Sequence, residues 1–186
     1  FDGVQSQMEL WVNDSLIGEH VYGYTPFQYN IAPALNPSGE NNVIAVKTLN
    51  QGENSRWFAG AGIYRPVTLS ILQPVAIAPW GVYVTTSDVS NEQATVNLEI
   101  EVSNKLDVEA ELTAEIAIIS PSDLQIMLST ASVTVAANSN ATLSTSESIG
   151  NPQLWNIDQP QLYKAETILY ADGKKVDSYC TSFGIR

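Results

Sequence analysis

Hydrophobic and polar residues alternate with a period of two along most of this chain, and no stretch holds an apolar helical face for three turns. Successive side chains of a strand point to opposite faces, so the pattern predicts an all-β protein. The clearest strand runs from Val108 to Ile118. Val108, Ala110, Leu112, Ala114, Ile116 and Ile118 face one side, and Glu109, Glu111, Thr113 and Glu115 the other. Thr95 to Val102 repeats it, with Val96, Leu98, Ile100 and Val102 inward and Asn97, Glu99 and Glu101 outward. These two strands are expected to pair across the polar turn Ser103-Asn104-Lys105-Leu106-Asp107. The outward glutamates 99, 101, 109, 111 and 115 then read as the wet face of a half-buried sheet rather than as an acidic cluster.

Further strands are expected at Glu9 to Val12, Val43 to Thr48, Val67 to Ile71, Gly81 to Thr86, Gln125 to Val135, Ala141 to Ser146, Lys164 to Tyr170 and Lys175 to Ser182. Ala171-Asp172-Gly173-Lys174 joins the last two, its glycine supplying the positive φ of a tight hairpin. A change of phase between Leu128 and Ala131 predicts a bulge or a switch of face. Near residue 73 the palette changes from Tyr, Gly and Trp to Ser, Thr, Val and Glu, and Pro74 and Pro79 interrupt sheet hydrogen bonding. This divides the chain into residues 1–72 and 73–186. The second part, with about seven strands at short intervals, fits an immunoglobulin-like β-sandwich without the paired cysteines. The first offers about half the roughly eight strands of a jelly roll.

Charge and composition narrow the function. A formal charge of -12 with eight Lys and Arg repels phosphate, which argues against nucleic acid as a partner and leaves a neutral ligand unaffected. No apolar run approaches the ~20 residues of a membrane-spanning helix. Cys180 is alone, so an intrachain disulfide and cysteine-based zinc sites are excluded. No Asp-x-Asp spacing suggests a calcium loop, and no cofactor is expected. The acidic, Asn-, Ser- and Thr-rich composition leans toward a bacterial periplasmic or secreted setting over the cytoplasm.

The densest chemistry lies in Ser55-Arg56-Trp57-Phe58-Ala59-Gly60-Ala61-Gly62-Ile63-Tyr64-Arg65-Pro66-Val67. Gly60 and Gly62 can adopt positive φ or admit a close neighbour, while Trp57 and Phe58 carry apolar surface that must be covered. A sugar needs a flat aromatic under its ring and polar groups for its hydroxyls, and Arg56, Trp57 and Phe58 supply both within three residues. The structural alternative is that Trp57 and Phe58 anchor the loop while Arg56 and Arg65 pair with acids. Elsewhere the residues read as architecture. His20 has no orienting partner and is expected to pack or cap locally. Asn91-Glu92 sits in a polar turn. Tyr22, Tyr24, Phe27 and Tyr29 are expected in the core, and Trp155, with Pro160 and Tyr163, as a corner plug.

The segment R-W-x-x-G-x-G-I-Y-R-x-V resembles glycoside hydrolase family 2, the β-galactosidases, β-glucuronidases and β-mannosidases. Other landmarks fall in the family's order. These are Leu10-Trp11-Val12-Asn13, Gly18-Glu19-His20, Gly23-Tyr24-Thr25-Pro26-Phe27, Gly39-Glu40-Asn41-Asn42-Val43-Ile44-Ala45-Val46, Leu154-Trp155, Pro160-Gln161-Leu162-Tyr163 and Phe183-Gly184-Ile185-Arg186. Asn13-Asp14 replaces the family's N-G turn but keeps a turn-forming pair. The resemblance implies a partial galactose-binding-like jelly roll over residues 1–72, followed by the immunoglobulin-like domain. It places the two catalytic glutamates in a TIM barrel of the same polypeptide, so no catalytic residue or metal site is expected in this chain. It further implies that Arg56 and Trp57 lean toward the pocket for a β-galactoside or related glycoside. It places the remaining jelly-roll strands upstream of Phe1, so that the incomplete first domain is expected to self-associate. An alternative reading is a stand-alone carbohydrate-binding or adhesive β-sandwich module of a bacterial surface protein.

Overall fold

The computed structural model describes residues 1–50 and 60–186. Antiparallel strands and one 3-10 turn at Ala32–Ala34 form its regular structure, with no α-helix among those residues. The strands fall into two units, Phe1–Ser70 and Ile71–Arg186, each with its own apolar core. The all-β expectation holds: a partial jelly-roll sandwich is followed by an immunoglobulin-like sandwich.

In the first unit the strands are β1 (Val4–Gln5), β2 (Met8–Val12), β3 (Ser15–His20), β4 (Ile44–Thr48) and β5 (Gly62–Ile63). β2 lies between β3 and β4, while β1 pairs antiparallel with β5. Met8, Leu10 and Val12 of β2 are buried, Met8 and Leu10 packing with Val4 and Phe27. The turn from β2 to β3 is Asn13-Asp14, with φ of 46° and 65°. Positive φ at both central residues is the type I′ geometry, whose twist suits paired strands and which Asn and Asp tolerate. Asn13 also ties the turn down. Its Nδ2 donates to Ala34 O at 2.9 Å and Asn42 Oδ1 at 2.7 Å, and its Oδ1 accepts from Val43 N at 2.8 Å.

Two expectations for this unit need correction. Val67 to Ile71 forms no strand, and Leu69 and Ile71 are 68% and 91% exposed. Alternation marks a segment able to join a sheet, but a ladder needs a neighbour, and the described residues offer it none. Of the four aromatics placed in the core, Phe27 is buried and Tyr29 half-buried, whereas Tyr22 and Tyr24 are exposed. Phe27 is held between the rings of Phe1 and His20, at centroid distances of 5.2 and 4.2 Å. His20 packs locally, with its Nε2 3.0 Å from Thr25 Oγ1.

The second unit contains β6 (Val75–Ser87), β7 (Gln93–Asn104), β8 (Ala110–Ile119), β9 (Gln125–Val135), β10 (Ser139–Gly150), β11 (Tyr163–Ala171) and β12 (Lys174–Phe183). They form two sheets, ordered β10-β7-β6 and β12-β11-β8-β9. Val96, Leu98, Ile100 and Val102 of one sheet and Leu112, Ala114, Ile116 and Ile118 of the other are buried in one core, as their alternation requires. Glu99, Glu101, Glu109 and Glu111 are exposed, and Glu115 is half-buried with the Tyr170 hydroxyl donating to it at 3.0 Å.

The expected β7–β8 hairpin does not form, because the chain crosses between the sheets there. Asn104 makes the crossing. Fully buried, its Nδ2 donates to the carbonyls of Val108, Val135 and Ala136 at 2.8, 3.1 and 3.2 Å, and its Oδ1 accepts from Leu106 N. The phase change predicted between Leu128 and Ala131 is also absent. β9 alternates without a break, turning Ser129 inward and leaving Leu128 61% exposed, and the register shift lies at Ile118/Ile119 instead. Val75, Ala76 and Ile77 are buried, and β6 crosses the Pro79 region by a register shift between Ile77 and Val82. A proline outside the ladder removes no ladder hydrogen bond. At the other end, Tyr163 stacks on Phe183 at 5.6 Å, and its hydroxyl accepts from Gln153 N at 2.7 Å. Arg186 lies 5.5 Å over the Trp155 ring, completing the corner plug.

Candidate functional site

Arg56 and Trp57, the residues singled out for sugar contact, lie outside the described residues, as does Phe58. The rest of their motif is described and begins at Gly60. Gly62 has φ of +138°, a conformation that side chains rarely adopt, and nothing stands within 4 Å of where a Cβ would be. The glycine is therefore required by the backbone rather than by crowding. From there β5 pairs with β1, Val4 opposite Ile63 and Gln5 opposite Gly62.

Tyr64 fixes the end of this segment. Its hydroxyl donates to Gly23 O at 2.7 Å, its N–H donates to Gly3 O at 3.3 Å, and Asp2 N donates to Pro66 O at 3.1 Å. A side chain at Gly3 would meet the Tyr64 ring, and one at Gly23 would meet Gln5. Gly3 thus admits the Tyr64 ring and Gly23 admits Gln5, while the Tyr64 hydroxyl ties Gly23 to the end of this segment. Tyr24 meets Tyr64 edge-on at 6.5 Å and Tyr22 at 5.6 Å. Arg65 lies 5.5 Å over the Tyr64 ring.

Gln5, Tyr24, Tyr64 and the backbone from Gly60 to Ile63 line an open cleft of about 390 Å³. Apolar ring faces beside a few polar groups suit a polyol. The sequence reading missed Gln5 and Tyr64 because neither stands out locally, and it assigned Tyr24 to the core. No local signal marks them: Gln5 and Tyr64 meet only through the β1–β5 pairing and the contacts at Gly23.

A general acid at neutral pH needs a raised pKa in a shielded pocket. Among the described residues two carboxyls are shifted, and both the other way: Glu9 by hydrogen bonds from Lys47 and Trp11, and Asp123 by a hydrogen bond and the charge of Lys164. Asn91 and Glu92 are exposed in a turn where Ser90 Oγ accepts from the backbone N–H of Glu92 and of Gln93. Among the described residues no group of three His, Cys, Asp or Glu could hold a metal ion, and no helix is long and apolar enough to cross a membrane.

Comparison with known proteins gives a consistent result along the whole chain. The sugar binding domain of glycosyl hydrolases family 2 matches residues 1–74, and the glycosyl hydrolases family 2 model matches residues 75–186. The β-galactosidase BoGH2A of Bacteroides ovatus is 35% identical over 187 aligned positions, covering 100% of this chain and 22% of that enzyme. A β-glucuronidase of Bacteroides fragilis is 30% identical, covering 100% of this chain and 28% of that enzyme. The crystal structure of a family 2 member from Bacteroides cellulosilyticus superposes with a TM-score of 0.94 at 34% identity, over 100% of this chain and 26% of that one. The chain therefore spans about a quarter of the length of these relatives.

Proposed function

Because this chain belongs to the glycosyl hydrolases family 2, we propose that it is the non-catalytic β-sandwich portion of a retaining glycoside hydrolase of the β-galactosidase type. It braces a TIM-barrel catalytic domain of the same polypeptide and lends the loop of Arg56 and Trp57 to that domain's sugar pocket. Residues 1–72 belong to the sugar-binding sandwich in this reading, and residues 73–186 to the immunoglobulin-like one. The observation that carries it is the two family models meeting end to end, in one order, within a chain covering 22% of a β-galactosidase.

The physical argument concerns what hydrolysis requires. Retaining glycosidases set two carboxyl groups about 5–5.5 Å apart in a site shielded from water. Glu99, Glu101 and Glu111 lie on open sheet faces without that shielding, and the Glu9 carboxyl is held below its ordinary value by Lys47 and Trp11. What the first unit does supply is the Gly62–Tyr64 anchor, held to Gly3 and Gly23 by Tyr64. Holding a substrate-contacting loop from a rigid sheet lowers the reorganisation needed at each turnover.

A chromogenic galactoside and the matching glucuronide test this on two proteins. The 186-residue chain should release no chromophore above buffer, while a chain extended through the gene beyond Arg186 should hydrolyse the galactoside preferentially. In the extended enzyme, Trp57→Ala should lower kcat/KM by about 10- to 100-fold, the scale expected for losing one substrate-positioning contact. Hydrolysis by the 186-residue chain, or a gene that ends in repeated sandwich modules, would overturn the proposal.

A further inference from the structure

We infer, resting on the reading above, that its catalytic domain docks on one end of the second unit, the end that carries Leu124, Ile157 and Leu162. The register brings these residues together. Tyr163 pairs with Phe183 and Lys164 with Ile119, so the turn after β8, the link from β10 to β11 and the residues after β12 all lie at this end. Lys164 Nζ meets Asp123 Oδ1 at 2.9 Å, tying the turn that holds Leu124 to the strand that follows Leu162.

Two turns here are closed by hydrogen bonds, and each carries an apolar side chain where polar residues are the rule. Asn156 Oδ1 accepts from Asp158 N and Gln159 N at 2.9 and 2.8 Å, and Asn156 N donates to Gln159 O at 3.1 Å. Ile157, within that turn, is 85% exposed. Ser120, itself buried, closes the other turn. Its N–H donates to Leu124 O at 2.8 Å, its carbonyl accepts from Asp123 N at 3.0 Å, and its Oγ accepts from Leu124 N at 3.2 Å. Leu124 is 64% exposed and Leu162 50%. Exposed apolar residues scattered singly are ordinary on a surface. Three at one end, two of them on turns held in place by their own hydrogen bonds, present a preorganised face that loses little conformational freedom on docking.

Tethering and charge choose the occupant. Trp155 N donates to Ile185 O at 2.8 Å, a Cβ on Gly184 would meet the Trp155 side chain at 2.9 Å, and Arg186 lies 5.5 Å over the Trp155 ring. The segment that leads into the catalytic domain of that reading is therefore fixed beside the Asn156 turn, and the domain meets this face at high effective concentration. A second copy of the chain has no such tether. Glu92 and Asp158 are exposed at the same end, where Asn151 N donates to Glu92 O at 2.8 Å, and neither carboxylate forms an ion pair among the described residues. The matching surface of the catalytic domain is an apolar patch with lysine or arginine at its rim.

Hydrogen–deuterium exchange tests this by comparing the 186-residue chain with the chain extended through the gene beyond Arg186. Peptides spanning residues 120–126 and 155–163 should exchange about tenfold more slowly in the extended protein, because docking opposes local opening. The peptide that holds Val108, exposed at the opposite end of the second unit, should exchange alike in both proteins. Leu124→Asp combined with Ile157→Asp should remove the protection from the extended protein. The same pair should leave the rest of the 186-residue chain exchanging as before, since neither side chain is buried. Equal exchange of both spans in the two proteins, where the extension does hydrolyse a glycoside, overturns the docking and leaves the reading above intact. An extension made of further sandwich modules overturns both together. Protection that survives the double substitution overturns the docking. So does protection that appears in the 186-residue chain as its concentration rises, which would assign the face to a second copy.

Discussion

Single residues decide more of this fold than their number suggests, and Asn104 is the sharpest case. A buried amide that satisfies three carbonyls and one N–H holds the crossing between sheets, and an apolar replacement strands those groups away from water. Asn104→Ala should destabilise the second unit by about 2–3 kcal/mol, read from urea unfolding, whereas a loss below about 0.5 kcal/mol would show that water replaces the amide. Glu9 gives a prediction in pH. Hydrogen bonds from Lys47 and Trp11 lower its folded pKa, so its contribution is present above the unfolded carboxyl value and fades as pH falls through the folded one. Following the Glu9 carboxyl by NMR should give a midpoint below the usual glutamate range, and Lys47→Met should move that midpoint up. No movement would mean that the ion pair, whose two side chains are 61% and 27% exposed, is screened out in solution.

At the scale of elements, turns impose their own demands. Gly173 follows Asp172 between β11 and β12, with φ of 71° and 49°, another pair of positive angles suited to a tight hairpin. Gly173→Val should cost about 1–2 kcal/mol of the second unit's stability, because a branched side chain is strained there. Gly150→Ala, at the end of β10 with an ordinary φ and open space around it, should be neutral or slightly stabilising in the same thermal melt. Equal losses at both positions would remove the conformational explanation. This hairpin was legible in the sequence because its signal is local: alternation on each side of Asp-Gly. The strands around Leu98 and Ile116 were legible for the same reason. Beyond that hairpin, which strands pair was not legible. The β7–β8 crossing depends on a buried Asn that looks, in sequence, like any turn residue, and the false bulge in β9 arose because Leu128 faces out while Ser129 faces in. Val67 to Ile71 has the residues of a strand and finds no neighbour among the described residues. The candidate cleft escaped for a related reason: Tyr24 and Tyr64 acquire meaning from residues far away in the chain.

The two units differ as whole bodies in how their apolar surface is disposed. The second closes a core between two sheets and turns the charged face of β7 outward. The first buries a small cluster around Met8 and Leu10 and leaves Val43, Ile44, Val67 and Leu69 exposed. Extended apolar segments without strand partners are templates for pairing with another chain, and lysines on edges are one means of blunting them. β4 carries Lys47, but Val67 to Ile71 carries no charge. Association between copies should therefore run through that segment of the first unit. Sedimentation velocity from about 10 µM to about 500 µM, a range over which such surfaces associate, should show a rising weight-average coefficient. The double variant Val67→Thr with Leu69→Gln should abolish the rise, since it removes exposed apolar area without touching a buried contact. Leu128→Gln, on the outer face of the second unit, should leave the rise intact. A constant coefficient across the range would refute the association. Loss of the rise in Leu128→Gln would move the sticky surface from the first unit to the second.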